Sequence, residues 1–115
     1  MSSKKPDLLQ GTLDLLVLKT LAQGPHHGYG IAQQILLSSR QIIDVQQGSL
    51  YPALHRLQAK GHVDGEWRKT EGGKRAKYYE ITNRGRRAVA EELGGWVDSI
   101  RAILAVLEVR SEELA

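Results

Sequence analysis

Residues 46–61, Gln-Gln-Gly-Ser-Leu-Tyr-Pro-Ala-Leu-His-Arg-Leu-Gln-Ala-Lys-Gly, constrain the fold more than any other stretch. Leu50, Ala53, Leu54 and Leu57 recur at spacings of three and four, which makes one buried stripe on a helix. Tyr51, His55, Arg56 and Lys60 fall off that stripe, toward solvent or a partner. Pro52 is compatible with this helix if Gly48 or Ser49 caps it, because a proline in or next to the first turn removes no needed donor. Gly61 suits the left-handed residue that closes a helix. Such a helix is either an ordinary amphipathic element with a solvated basic face or the part of the protein that meets a target. Its neighbours in the chain decide between the two.

Immediately downstream the period changes from helical to alternating. In residues 62–68 Val63 and Trp67 share one face, read as core, and in residues 77–82 Tyr79 and Ile81 share one. Between them Lys69–Ala76 contains Gly72-Gly73, so strand, turn and strand read as a hairpin. Two short strands alone are marginal, so this hairpin must lean on helices. Upstream, a first helix is expected from Gly11 or Thr12 to Gln23, with Thr12 as a possible cap. Its inner stripe is Leu13, Leu16, Val17, Thr20 and Leu21, and Gly24-Pro25 ends it. Leu8 and Leu9 precede it and are free to pack on the domain or on a second subunit. His26–Gly30 forms a turn into a second helix, Tyr29 to about Leu37, with Ile31, Ile35 and Leu36 inward. Ile42–Val45 reads as a short edge strand.

The last helix opens at Thr82 or Asn83 and carries apolar residues at Val89, Leu93, Trp96, Val97, Ile100, Ile103, Leu104 and Leu107. These steps form a sustained heptad-like seam, too long to bury on so small a domain. A partner helix from a second copy is its simplest cover. Gly94-Gly95 interrupts the helix, and two interior glycines cost it roughly 2 kcal/mol relative to alanine, so a kink or break is plausible there.

Charge follows the same division. Residues 67–87 carry eight Lys/Arg against two acids, whereas residues 88–115 carry two Lys/Arg against six acids. A basic middle suits a polyanion, and the acidic end does something else. The absence of cysteine excludes disulfides, thiolate metal sites and a cysteine nucleophile. The run Leu13–Leu21, broken by Asp14, Lys19 and Thr20, is too short and polar to span a membrane. The expectation is a cytoplasmic protein without a targeting signal or cofactor.

The fold class expected is mainly α with a small β-hairpin (α+β): a winged helix-turn-helix domain over residues 8–82, a C-terminal dimerisation helix over 83–109, and flexible ends at 1–7 and 110–115. A helix with polar outward side chains and a held inner stripe can enter the major groove. The tip Gly72-Gly73-Lys74-Arg75 is small and cationic, suited to a phosphate backbone or minor groove. A symmetric dimer would place two recognition helices about 34 Å apart, on a pseudo-palindromic operator in double-stranded DNA.

Several stretches together carry a resemblance to a known family. They are Leu9-Gln-Gly-Thr-Leu-Asp-Leu-Leu-Val-Leu18, Pro25-His-His-Gly-Tyr-Gly-Ile31, Gln47-Gly-Ser-Leu-Tyr-Pro-Ala-Leu-His-Arg-Leu57, Gly61 and Gly72-Gly-Lys-Arg-Ala-Lys-Tyr-Tyr-Glu-Ile-Thr82. The chain resembles the PadR family of bacterial transcriptional regulators over nearly all of residues 8–107, in its smaller subgroup with a single C-terminal helix. The resemblance implies a homodimeric winged-helix DNA-binding protein, usually a repressor of a neighbouring operon, dimerised through the last helix with help from the first. It implies that Ser49, Tyr51 and His55 meet DNA from the recognition helix and Lys74, Arg75 and Lys77 from the wing. Some members bind phenolic or planar drug-like effectors between subunits near a tryptophan that Trp96 matches. Gly94-Gly95, just before it, departs from the helix-favouring residues usual there.

Arg56 joins the DNA-binding candidates from the bottom-up reading, as either a contact or a solvated charge. His26 and His27 are adjacent rather than at helical ligand spacing, and no metal site is expected. Gly73-Lys74 is followed by Arg75, with Arg68 where a P-loop needs glycine, and there is no Gly-x-Ser-x-Gly elbow. No enzyme is expected. The competing reading is a winged-helix interaction module whose basic face docks an acidic protein.

Overall fold

The computed structural model describes residues 6–108, with side chains from residue 11 onward. The elements are α1 (Pro6–Leu21), β1 (His26–His27), α2 (Gly28–Ser38), α3 (Gln47–Ala59), β2 (Val63–Lys69), β3 (Arg75–Ile81) and α4 (Asn83–Val106). The three strands form one antiparallel sheet in the order β1-β3-β2. The α+β winged-helix arrangement expected from the sequence is the one observed, with an added strand. His26 and His27 pair with Tyr79 and Tyr78, where a simple turn was expected.

α1, α2 and α3 enclose the core with the base of the sheet. Leu18, Leu21, Ile31, Leu50, Leu54, Leu57 and Val63 are essentially inaccessible to solvent. Burying each such side chain is worth about 1.5–3 kcal/mol. All four stripe residues of α3 are buried as expected. α1 differs from expectation at both ends. It starts at Pro6, inside the stretch assigned to a flexible end, and proline is pre-set for a first helical position. It stops at Leu21, and Thr12 lies within it rather than capping it. Its buried positions are Leu15, Val17, Leu18 and Leu21, while Leu13 and Leu16 only flank the core. The side chains of Leu8 and Leu9, and residues 1–5 and 109–115, lie outside the described residues.

α2 begins one residue early, at Gly28, because His27 Nδ1 accepts the Gly30 N–H at 3.0 Å and serves as its cap. Residues 42–45 form no strand. Arg40 and Gln41 both take positive φ, of 57° and 69°, and the chain then runs as an irregular link with Ile42 exposed. α3 is capped by Gln46 without a side-chain bond, not by Gly48 or Ser49. Pro52 therefore sits in the second turn, beyond the free first-turn positions.

The end of α3 and the start of α4 are joined. Gly61 (φ 77°) donates to the Gln58 carbonyl at 3.0 Å and His62 N–H to the Leu57 carbonyl at 2.9 Å, a Schellman closure. Thr82 N–H then donates to the His62 carbonyl at 3.0 Å, and the Thr82 hydroxyl to the Gly61 carbonyl at 2.6 Å. The same Thr82 oxygen accepts the Gly85 N–H at 3.0 Å and caps α4. α4 runs unbroken through Gly94-Gly95, so the helix does not break there. Its 24 residues span about 36 Å. Only the first turns are covered, by burial of Gly85, Ala88 and Val89. Beyond Trp96 the apolar seam is half-buried at Val97, Ile100 and Leu104 and opens toward its end, where Leu107 is 65% exposed and Val106 beside it 82%.

Candidate nucleic-acid interface

β2 and β3 pair from Val63↔Ile81 to Lys69↔Arg75, so the hairpin is regular to its tip. Thr70 N–H donates to the Lys74 carbonyl at 2.6 Å and Gly73 N–H to the Thr70 carbonyl at 3.0 Å. Gly73 has φ 89°, a conformation that disfavours any side chain at that point. Only the base of this hairpin reaches the core. Val63 is fully buried, but Trp67, on the same face, is 58% exposed, contrary to the core role expected of it. Alternation defines a strand's faces and not how far the strand projects beyond the helices that cover it.

Exposed Trp67 supports one cation of the wing, and two tyrosines support others. The Arg75 guanidinium lies over its ring at 5.5 Å, Lys77 Nζ over Tyr79 at 5.7 Å and Arg68 over Tyr78 at 5.3 Å. Such contacts hold long basic side chains beside aromatic faces, and Arg68 also pairs with Glu66 at 3.5 Å and Glu80 at 3.9 Å. Gly65 makes room for Lys77, whose Cε occupies the space a Cβ at residue 65 would need.

On α3, Ser49, Tyr51, Pro52, His55 and Lys60 are exposed. Tyr51 lies against the start of α2, where a Cβ at Gly28 would come within 2.6 Å of its hydroxyl oxygen. Gly28 thus lets two helices meet around this tyrosine. Burial pushes the Tyr79 hydroxyl above its ordinary pKa of 10.0, and neighbouring Tyr51 adds to the shift, so Tyr79 stays a neutral phenol.

Tyr51, Lys74, Arg75 and Lys77 border a single open groove of about 560 Å³ between α3 and the wing, together with His27 and Trp67. Ser49 and His55 are exposed on α3 but do not line it. Arg56 points elsewhere, to Asp14 on α1. Trp96 is remote from the groove: its indole N–H donates to Thr12 Oγ1 at 2.9 Å and its ring packs against the core. Among the described residues no group of three His, Cys, Asp or Glu gathers as a metal site would require. Sequence reasoning missed His27, Gly28 and Trp67 as parts of this groove. The Gly28-Tyr29-Gly30 run was a usable signal for the first two, since glycine at a helix start permits close approach.

Three cations, a phenol and a projecting hairpin beside a helix with a polar outer face define a winged helix-turn-helix module of the DNA-binding kind. Comparison with known proteins agrees. The profile described as "Transcriptional regulator PadR-like family" matches residues 17–91. A transcriptional regulator of Mycobacterium tuberculosis is 34% identical over 90 residues, covering 78% of this chain and 80% of that protein. A PadR-family regulator structure from Eggerthella lenta superposes with a TM-score of 0.70 at 31% identity, covering 89% of this chain and 88% of that one. The structure of a transcriptional regulator from Thermoplasma acidophilum gives 0.76 at 25% identity, covering 90% and 98%. The chain belongs to the PadR-like family, whose members are transcriptional regulators and not enzymes.

Proposed function

We propose that this regulator is a homodimeric repressor that binds a pseudo-palindromic operator in double-stranded DNA. In this reading the outward face of α3 enters the major groove through Ser49, Tyr51 and His55, and the wing follows the adjacent backbone or minor groove through Lys74, Arg75 and Lys77. The observation that carries it is the shared groove: Tyr51 from α3 and Lys74, Arg75 and Lys77 from the wing border one space. The second copy would cover the open seam of α4, whose Leu107 is 65% exposed. Such a protein works beside the chromosome, in the cytoplasm. No helix among the described residues is long and apolar enough to cross a membrane.

Titration of labelled DNA from upstream of the protein's own operon tests the reading. A specific operator should give a dissociation constant of about 10⁻⁸ M or tighter at physiological salt. Micromolar, sequence-indifferent binding would sink it. Replacing Lys74 and Arg75 together by alanine should flatten the salt dependence by about 1.8 log units per log salt, two phosphate contacts' worth. An unchanged slope would favour the competing reading, in which the basic face docks an acidic protein.

A planar aromatic effector at Trp96 is the second reading. It is supported by the position of Trp96, half-buried where α1 meets α4 at the head of the open seam. Quenching of tryptophan fluorescence by planar aromatics, lost in Trp96→Ala while DNA binding persists, is the outcome it requires.

A further inference from the structure

The junction at Gly61, His62 and Thr82 fixes where α3 ends. It leaves open how α3 turns about that point, and a small rotation there would carry Ser49 and Tyr51 off their register. Restraint against rotation has to come from the side of the helix.

The buried stripe Leu50, Ala53, Leu54 and Leu57 supplies most of it, and one polar pair adds a directional restraint. Arg56 Nη2 donates to Asp14 Oδ1 at 2.8 Å and Arg56 Nε to Asp14 Oδ2 at 3.4 Å, a two-point contact between α3 and α1. The side chains are 30% and 13% exposed, so this pair is shielded well beyond an ordinary surface salt bridge. Two residues earlier on α1, Thr12 accepts the Trp96 indole N–H of α4 at 2.9 Å. Positions two apart on a helix stand about 200° around its axis, so these bonds leave α1 on nearly opposite sides. α1 lies between α3 and α4 with a directional bond to each.

We infer that α1 is a strut that sets the recognition helix relative to α4, with Arg56–Asp14 at one end and Thr12–Trp96 at the other. Arg56 is then a positioning residue and not a phosphate contact. A change in how α4 is held would reach α3 through α1. The inference rests on the DNA-binding reading above.

Charge makes the test sharp. Asp14→Ala removes a negative charge from a DNA-binding protein, and electrostatics alone would tighten binding. The strut predicts the opposite: operator affinity falls by about three- to tenfold, the salt slope is unchanged and affinity for non-operator DNA is retained. Arg56→Gln should give the same loss, and the double variant no more than either alone. Thr12→Val should weaken operator binding in the same direction, with sedimentation unchanged. A general loss of folding would instead lower the thermal midpoint and both affinities together, and would overturn the strut.

Tighter or equal binding by Asp14→Ala overturns the inference. So does an Arg56→Gln salt slope reduced by about 0.9, which would return Arg56 to the phosphates. Unchanged affinity in Thr12→Val removes α4 from the strut. If the wild-type protein shows no operator preference, the functional reading fails first. If the wild-type protein prefers its operator, and the Lys74/Arg75 variant binds more weakly with a flatter salt slope, that reading stands and only the strut is at stake.

Discussion

Gly85 and the Gly94-Gly95 pair lie on the same helix under different constraints. A Cβ at Gly85 would drive into the backbone carbonyl oxygen of His62 and within 2.8 Å of Ile81 Cγ1. Around Gly94 and Gly95 nothing lies within 4 Å of such a carbon. The apolar repeat continues through both regions, yet the chain's own domain covers only the first. Gly85 is explained by packing inside one subunit. Gly94-Gly95 has no such explanation there, and helix propensity opposes it. The start of α4 and Trp96 therefore belong to the folded domain, whereas Ile103, Val106 and Leu107 lie exposed on the far end of the helix.

The largest effect should come from charging the distal half. Ile103→Asp combined with Leu107→Asp should raise the dissociation constant of the dimer at least about a hundredfold, since each places an unpaired carboxylate in an apolar contact. Sedimentation velocity at micromolar protein checks this, and a wild-type monomer under the same conditions would break the contrast between the halves. Next, Gly85→Ala should destabilise the domain by about 2–3 kcal/mol, because the carbonyl it meets cannot rotate aside. Its denaturant midpoint should fall at unchanged slope. Gly94→Ala and Gly95→Ala should each raise the thermal midpoint, by up to about 1 kcal/mol of added helix stability. If either instead weakens dimerisation, that glycine lies against the second copy and the account of the distal half sharpens accordingly.

The smallest effect is alkaline. Tyr79 has a folded-state pKa above 10.0, so its contribution to stability is present below the unfolded value and lost as pH rises through the folded one. Tyr79→Phe should therefore show less stability loss than wild type between about pH 10 and 12. Thermal melts across that range measure the difference.

The sequence exposed what repeats and hid what happens once. The α3 stripe, Gly61 at the helix end and the hairpin pattern were legible because period and glycine geometry are local. β1 was not, because His26-His27 is a strand only by virtue of Tyr78 and Tyr79 about fifty residues later. Trp67 was misassigned because its surroundings depend on how far the hairpin outruns the helices. Arg56 showed its face of α3 but not its partner, since Asp14 is 42 residues away in the chain. The groove was half legible: its cations announced themselves, whereas the aromatic rings beneath them looked like core.

The junction between α3 and α4 also bears on how this protein can be rebuilt. Its bonds join the carbonyls of Gly61 and His62 to the hydroxyl and the amide of Thr82, so the joint depends on one side chain as well as on the backbone. Replacing Gly61, Thr82 or Gly85 would therefore weaken that joint, whereas the His62 side chain takes no part in these bonds. A chimera that transplants reading specificity from a relative should therefore exchange the outward residues of 47–59 alone, keeping the buried stripe and Arg56 with its bond to Asp14. Residues 61–62 and 82–85 would travel together as one inseparable cassette.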